Sequence, residues 1–195
     1  MSEFTIKQLG PDTWEDFAGL VRRQGTAKFG VPACWCLAFH PVDAARVPDG
    51  DNGPGRKQRL VERGEAHAAL VYDGDLAVGW CQYGTPEELP GIHHRKDYER
   101  TLTGLPDYRL TCIFVDKKSR KRGVALAALH GALDLIAEAG GGVVEGYPHD
   151  PPEGKVIKPS FLYNLTRAVY EQAGFTYDRP KGAGNCVMKR IVEPK

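Results

Sequence analysis

The chain has 195 residues, of which 42% are hydrophobic and 26% charged, a composition typical of a soluble globular protein. Its 26 basic and 25 acidic residues leave a net charge of +1, which excludes a global electrostatic attraction to nucleic acid. At this length one α/β domain is the simplest organisation, so we expect a single domain over residues 1–195.

The cysteines and the apolar segments indicate the compartment. The cysteine count is five, an odd number, and Cys112 and Cys186 lie within apolar, strand-like runs, which favours reduced thiols. The first nine residues do not resemble a signal peptide, and no run approaches the roughly 20 apolar residues that cross a bilayer. We therefore predict a cytoplasmic protein with no membrane partner.

In chain order, the first half of the sequence predicts a strand, two helices and a hairpin. The expected elements are a strand over 4–8, a helix from Pro11 to about Arg23, an irregular apolar stretch over 25–41, a loop over 48–55, a short helix over 56–64, and strands over 67–72 and 76–83 joined by an Asp73-Gly74 turn. Residues 85–109 are polar and interrupted by proline, which predicts a loop with one helical turn.

The second half predicts alternating strands and helices. The expected elements are a buried strand over 110–115, a helix over 123–139, a strand over 143–147, a proline-rich loop over 148–159, a helix from the N-cap Ser160 to Ala173, and a closing strand pair over 175–178 and 186–192. This order indicates an α/β sheet that is antiparallel early in the chain and parallel at its centre.

A basic turn lies between the buried strand and the helix that begins at Gly123. Five of the six residues from Lys117 to Arg122 are basic. The first N–H groups of the following helix point into this turn, an arrangement that binds phosphate or pyrophosphate. A solvated charged face and a nucleic-acid patch are the alternatives, and both suit a tail or an exposed helix better than this position.

Three segments resemble the GNAT family of N-acetyltransferases. Arg120-x-x-Gly123-x-Ala125 matches the family's Q/R-x-x-G-x-G/A motif, the strand Ile113-Phe114-Val115-Asp116 precedes it, and residues 170–175 (YEQAGF) resemble the later Y-E-x-x-G-F segment. The resemblance covers about residues 65–192. It implies a mixed sheet, antiparallel in its N-terminal half and with splayed parallel central strands, flanked by helices.

The resemblance also implies an acyl-donor site for acetyl-CoA. The residues expected to bind its pantetheine arm and pyrophosphate are Ile113, Phe114, Val115, Arg120, Lys121, Arg122, Gly123, Val124 and Ala125. A backbone N–H of the central strand would stabilise the oxyanion that forms on the thioester. Tyr170 corresponds to the residue that protonates the departing thiolate.

An amine nucleophile must lose a proton, and Glu145 is the candidate proton acceptor. It lies in the middle of a predicted strand, where burial would raise the pKa of a carboxyl group. A structural glutamate paired with a basic side chain is the alternative. Asp116, His149 and Asp150 are rival bases, and a chain of water molecules would also serve.

We predict structural rather than catalytic or metal-binding roles for Tyr163 and for the segment that contains Cys34, Cys36 and His40. Tyr163 lies seven residues before Tyr170, so both would face the same way on one helix, with Tyr163 in the core or lining a substrate pocket. Cys34, Cys36 and His40 supply three local ligands beside Trp35, and no second cysteine pair at zinc spacing accompanies them, so we predict no metal site.

The resemblance thus implies an acetyl-CoA-dependent N-acetyltransferase that acts on a primary amine by direct transfer in a ternary complex, and we favour an amine of a small molecule. We expect a monomer or homodimer with no nucleic-acid partner. One alternative is a non-catalytic acyl-CoA-binding or regulatory domain. The other is a nucleic-acid-associated protein that uses the basic cluster.

Overall fold

The computed structural model describes residues 4–25, 34–41, 53–151 and 163–195. Within these ranges the strands are β1 (Thr5–Gln8), β2 (His67–Asp73), β3 (Leu76–Gly84), β4 (Tyr108–Val115), β5 (Gly142–Gly146), β6 (Thr176–Pro180) and β7 (Cys186–Val192). The helices are α1 (Trp14–Gly25), α2 (Pro54–Glu62), α3 (Arg95–Arg100), α4 (Val124–Glu138) and α5 (Arg167–Gln172). None of these helices is long and apolar enough to cross a membrane.

The strands form one seven-stranded sheet in the order β1-β2-β3-β4-β5-β7-β6. The first four strands pair antiparallel, β4 and β5 pair parallel, and β5, β7 and β6 return to antiparallel pairing. The parallel pair arises because α4 carries the chain from the end of β4 back to the start of β5. This architecture confirms the predicted mixed sheet with an antiparallel N-terminal half and a parallel pair at its centre.

Helices cover both faces of the sheet. The α4 stripe that contains Leu129, Leu133 and Ile136 packs in a core that also holds Leu110, Ile113 and Tyr170. A second core contains α1, α2 and the opposite face of the central strands. The helical periodicity of α4 therefore identified its buried face correctly, with Leu126, the fourth member of the stripe, only partly buried.

The predicted helix from Ser160 to Ala173 is confirmed over Arg167–Gln172 and wrong over residues 163–166. The helix is only α5, and residues 163–166 are not helical. Leu165 has a φ of 57°, and Thr166 forms a parallel bridge with His149. The backbone groups of this segment bind neighbouring strands instead of each other, which a helical period cannot reveal. Tyr163 and Tyr170 consequently do not share a helix face.

Smaller differences concern turns and loops. The hairpin turn lies one residue later than predicted, because Asp73 still pairs with Leu76 across it. The predicted helical turn within 85–109 is α3, and β4 already begins at Tyr108. Ser160, residues 26–33 and 152–159, and most of the predicted 48–55 loop lie outside the described residues.

Candidate active site

The site begins where the two parallel strands part. Pairing between β4 and β5 comprises three residue pairs and ends at Leu110 and Gly146, while β4 continues to Val115. Just beyond this point Thr111 is an extra residue in β4, because Gln82 pairs with Cys112 but Tyr83 pairs with Leu110. As a result Ile113 faces the α4 core, whereas Cys112 faces the core that contains α1.

A segment of the same chain lies in the gap between the strands. The N–H of Ile113 donates to the carbonyl oxygen of Tyr163 at 2.7 Å, and the N–H of His149 donates to Leu165 at 3.0 Å. Residues 163–166 therefore bridge β4 and the residues that follow β5. One of the backbone N–H groups of the central strand, that of Ile113, therefore already has a partner, while Val115 presents its backbone on the same edge two residues further along.

The basic turn follows β4 directly. The Asp116 carboxylate accepts from the Lys118 N–H at 3.0 Å and so caps a 3-10 turn over Lys117–Ser119. Gly123 has a φ of 87°, a left-handed conformation that favours glycine, and is the residue before α4. The helix makes its first internal bond from the Ala127 N–H to Gly123, so the N–H groups of residues 124–126 point out of the helix end.

The basic side chains of the turn differ in their surroundings. Arg120 and Lys121 are exposed. Arg122 instead forms an ion pair with Asp73 at 2.6 Å, at the end of β2, and its guanidinium lies 5.7 Å from the Phe4 ring centroid. Arg122 is therefore anchored to the sheet, and Arg120 and Lys121 are the side chains most available to an anion.

Tyr170 lies beneath the point where the strands part. Its side chain is fully buried, with the ring 5.0 Å from that of Phe175, and a Cβ at Gly146 would overlap it. Within the described part of the chain its hydroxyl has no hydrogen-bond partner. Burial raises the pKa of this hydroxyl well above its usual range, and three neighbouring cysteine thiols act in the same direction. The hydroxyl therefore remains protonated at neutral pH.

Glu145 has no exposed surface and is held on all sides. Its carboxylate accepts from the hydroxyls of Tyr98 at 2.8 Å and Tyr147 at 3.0 Å. Arg179 lies 3.4 Å and Lys189 3.6 Å from the other oxygen. Burial and the charge of Glu145 raise the pKa of both tyrosines. A substrate would reach this carboxylate only through one of the tyrosine hydroxyls.

The rival bases have different environments. Asp116 caps the 3-10 turn and lies 3.7 Å from Arg23, and Asp150 lies 3.4 Å from Arg167. The amide nitrogen of Asn185 donates to the Pro148 carbonyl at 3.3 Å, which orients the amide, and it lies 3.2 Å from Nδ1 of His149. Nδ1 is therefore an acceptor, and the neutral His149 ring carries its proton on Nε2.

An aromatic cluster that the sequence analysis missed surrounds Tyr163. The Tyr163 ring lies 6.2 Å from Phe39, 5.7 Å from His93 and 6.0 Å from His149. Burial, assisted by the charge of Lys181, lowers the pKa of His93. These residues come from four separate segments, so no local pattern could have brought them together.

The segment around Cys34, Trp35 and Cys36, for which the sequence predicts no metal site, contacts other parts of the chain. The Cys36 sulfur lies 2.9 Å from that of Cys112, whereas His40 contacts Lys57. Over the described ranges no three His, Cys, Asp or Glu side chains are arranged to hold a metal ion.

No protein-family model and no curated protein matches the sequence. Solved structures do match its fold. A GNAT-family acetyltransferase from Streptococcus pneumoniae has a TM-score of 0.54 at 10% identity, with 97% of this chain and 99% of that chain covered. An acetyltransferase assigned to the GNAT family from Desulfovibrio desulfuricans has a TM-score of 0.52 at 17% identity, with the same coverage.

A third similar structure contains a ligand. The PaiA N-acetyltransferase from Thermoplasma acidophilum, solved in complex with coenzyme A, has a TM-score of 0.53 at 10% identity and covers 97% of this chain and 99% of its own. At these identities the likeness shows the fold. Together with the strand order and the parting of β4 from β5, it establishes that this chain has the fold of the GNAT acetyltransferases.

Proposed function

We propose that this protein is an acetyl-CoA-dependent N-acetyltransferase that acts on a primary amine of a small molecule, by direct transfer in a ternary complex. The observation that carries the proposal is the gap between β4 and β5 beyond Leu110 and Gly146, with the unpartnered Tyr170 hydroxyl buried beneath it. A buried hydroxyl without a partner is unfavourable unless a ligand supplies one.

The donor would bind across the gap and the basic turn. Its pyrophosphate would accept from the free N–H groups at the start of α4 and pair with Arg120 and Lys121, as the exposed charges and the helix end favour. Its pantetheine arm would bind the backbone edge of Ile113, Phe114 and Val115, with Gly123, Val124 and Ala125 at the diphosphate. Tyr163 would then have to release the Ile113 N–H.

The reaction follows from these positions. The amine nitrogen attacks the acetyl carbonyl carbon, and the Ile113 N–H stabilises the oxyanion that forms. Collapse of this intermediate breaks the carbon–sulfur bond, and Tyr170 gives its proton to the departing thiolate. The proton that the nitrogen loses as the amide forms then restores the Tyr170 hydroxyl. Burial keeps the Tyr170 hydroxyl protonated in the ligand-free protein, so its proton is present when the thiolate departs.

The acceptor must be neutral when it attacks, so an amine that binds as ammonium must first lose a proton. We propose Glu145 as the final proton acceptor, with the proton passing through the hydroxyl of Tyr147 or Tyr98, since both donate to this carboxylate. The aromatic cluster of Phe39, His93, His149 and Tyr163 supports an amine substrate, because aromatic faces attract ammonium groups.

A non-catalytic acyl-CoA-binding domain is the second candidate. It is favoured by the bond between the Tyr163 carbonyl and the Ile113 N–H, which occupies the oxyanion donor. Thiol release from acetyl-CoA with a panel of primary amines separates the two candidates. Amine-dependent release with intersecting initial-rate plots supports direct transfer. Calorimetric binding of coenzyme A without release for any amine would identify a binding domain, and absence of binding would refute both.

A further inference from the structure

Three thiols and a buried amine meet on the face of β4 opposite Tyr170. The sulfur atoms of Cys36 and Cys112 lie 2.9 Å apart, and both residues are buried, with 2% and 7% of their surface exposed. Cys34 is exposed and forms a side-chain hydrogen bond with Cys36. This pairing is non-local, since the two close sulfurs are separated by 76 positions in the chain.

The Lys57 amine interacts electrostatically with these sulfurs, and burial lowers its own pKa to about 8. Only 1% of its surface is exposed, and its Nζ donates to Gln82 Oε1 at 2.8 Å and lies 3.1 Å from His40 Nε2. Both partners are neutral, because burial lowers the pKa of His40 to about 3. Among the described residues no carboxylate pairs with Lys57.

The proton between the sulfurs has a defined position. The hydrogen bond that Cys36 donates to Cys112 raises the pKa of Cys36, and burial adds to this effect, whereas the charge of Lys57 opposes it. Cys36 therefore keeps its proton, and Cys112 is the acceptor sulfur of the pair. Cys112 has the larger exposed fraction of the two, so we assign the first attack on an oxidant to its sulfur.

We propose that Cys36 and Cys112, whose sulfur atoms lie 2.9 Å apart, form a site of reversible oxidation by small hydroperoxides, with the buried amine of Lys57 assisting the loss of the sulfur proton. The Cys112 sulfur loses its proton and attacks the peroxide oxygen; the O–O bond breaks, a sulfenic acid is left, and the leaving oxygen takes the proton and departs as an alcohol or water. The Cys36 sulfur then attacks the Cys112 sulfur, the S–O bond breaks, and water leaves with the Cys36 proton. Two thiols are oxidised by two electrons and one peroxide is reduced.

The disulfide would require only a small movement. A sulfur–sulfur bond is about 2.05 Å long, so the two atoms must approach by about 0.9 Å. The bond would tie the segment 34–41 to β4 at the residue directly before Ile113. Oxidation thus acts next to the proposed donor edge, but the site does not depend on acetyl transfer.

The test is a thiol count on the native protein after treatment with hydrogen peroxide. We expect the number of thiols titrated under denaturing conditions to fall from five to three, with a mass loss of two hydrogens that dithiothreitol reverses. Differential alkylation of the wild-type protein followed by peptide mapping should assign the bond to Cys36 and Cys112, and this measurement needs no variant.

Variants define the pair and the role of the amine. Cys112→Ser should abolish the loss of two thiols, whereas Cys81→Ser, a fully buried cysteine on β3, and Cys34→Ser should retain it. Lys57→Met should slow oxidation about tenfold. Five thiols remaining after peroxide, a bond that maps to Cys34 and Cys36, or an unchanged rate in Lys57→Met would each overturn the proposal.

Discussion

Replacing Tyr170 with phenylalanine should stabilise the ligand-free protein and at the same time slow catalysis. The hydroxyl is fully buried and has no partner in the described part of the chain, so removing it ends its desolvation cost of about 1–3 kcal/mol. Phenylalanine keeps the ring that packs against Gly146 and Phe175. We expect the free energy of unfolding to rise by about 1 kcal/mol or more, and the melting temperature by roughly 2–4 °C per kcal/mol.

The same change removes the proposed acid. Thiol release with a working amine should fall by about 10²-fold or more, while coenzyme A binding changes little, because the proton is transferred only in the transition state. Denaturant unfolding without ligand, calorimetry with coenzyme A and a steady-state thiol assay together measure the three quantities.

Tyr98→Phe is the matched control. The Tyr98 hydroxyl donates to the buried Glu145 at 2.8 Å, so its loss should lower the free energy of unfolding by about 1.5–3 kcal/mol. Opposite signs for the two variants support the reasoning. If Tyr170→Phe destabilises the protein as Tyr98→Phe does, its hydroxyl has a partner, and unchanged turnover would make Tyr170 purely structural.

Three further predictions concern the donor turn, the buried carboxylate and acid stability. Replacing both Arg120 and Arg122 with alanine should weaken coenzyme A binding, measured by calorimetry, at least tenfold. Because Arg122 pairs with Asp73, most of this loss should already appear in Arg120→Ala. Unchanged affinity would refute the pyrophosphate site. Glu145→Gln should lower the free energy of unfolding by about 3–5 kcal/mol, because the variant removes the carboxylate charge that pairs with the buried Arg179. It should also lower turnover about tenfold to a thousandfold and remove the acidic limb of the pH–rate profile. An unchanged pH–rate profile would make Glu145 a structural residue. His40 has a pKa of about 3 in the folded protein, against 6.5 when it is exposed in the unfolded chain. As the pH decreases below 6.5 the unfolded chain therefore binds a proton that the folded protein does not. The free energy of unfolding should fall by about 2 kcal/mol at pH 5. His40→Gln should flatten this part of the stability profile, and an equally steep fall in the variant would contradict the assignment.

The sequence alone determined the features that depend on neighbours along the chain. The apolar stripe of α4 repeats at helical spacing, two mostly apolar runs flank the glycine turn between β2 and β3, and the basic turn before Gly123 is contiguous. Helices, hairpins and helix ends are built from short-range backbone hydrogen bonds, so contiguous stretches of sequence were enough to predict them. The fold class then followed from the order of these elements along the chain.

Only the tertiary structure decided what lies in the gap between the central strands. Residues 163–166 form no helix because their carbonyls bind Ile113 and His149, and Glu145 acquires its partners from α3, β6 and β7. Cys36 meets Cys112 across 76 positions. Such contacts depend on how strands and loops cross in space, and the energy that selects them comes from burial and from pairing polar groups, which leaves no periodic trace in the sequence.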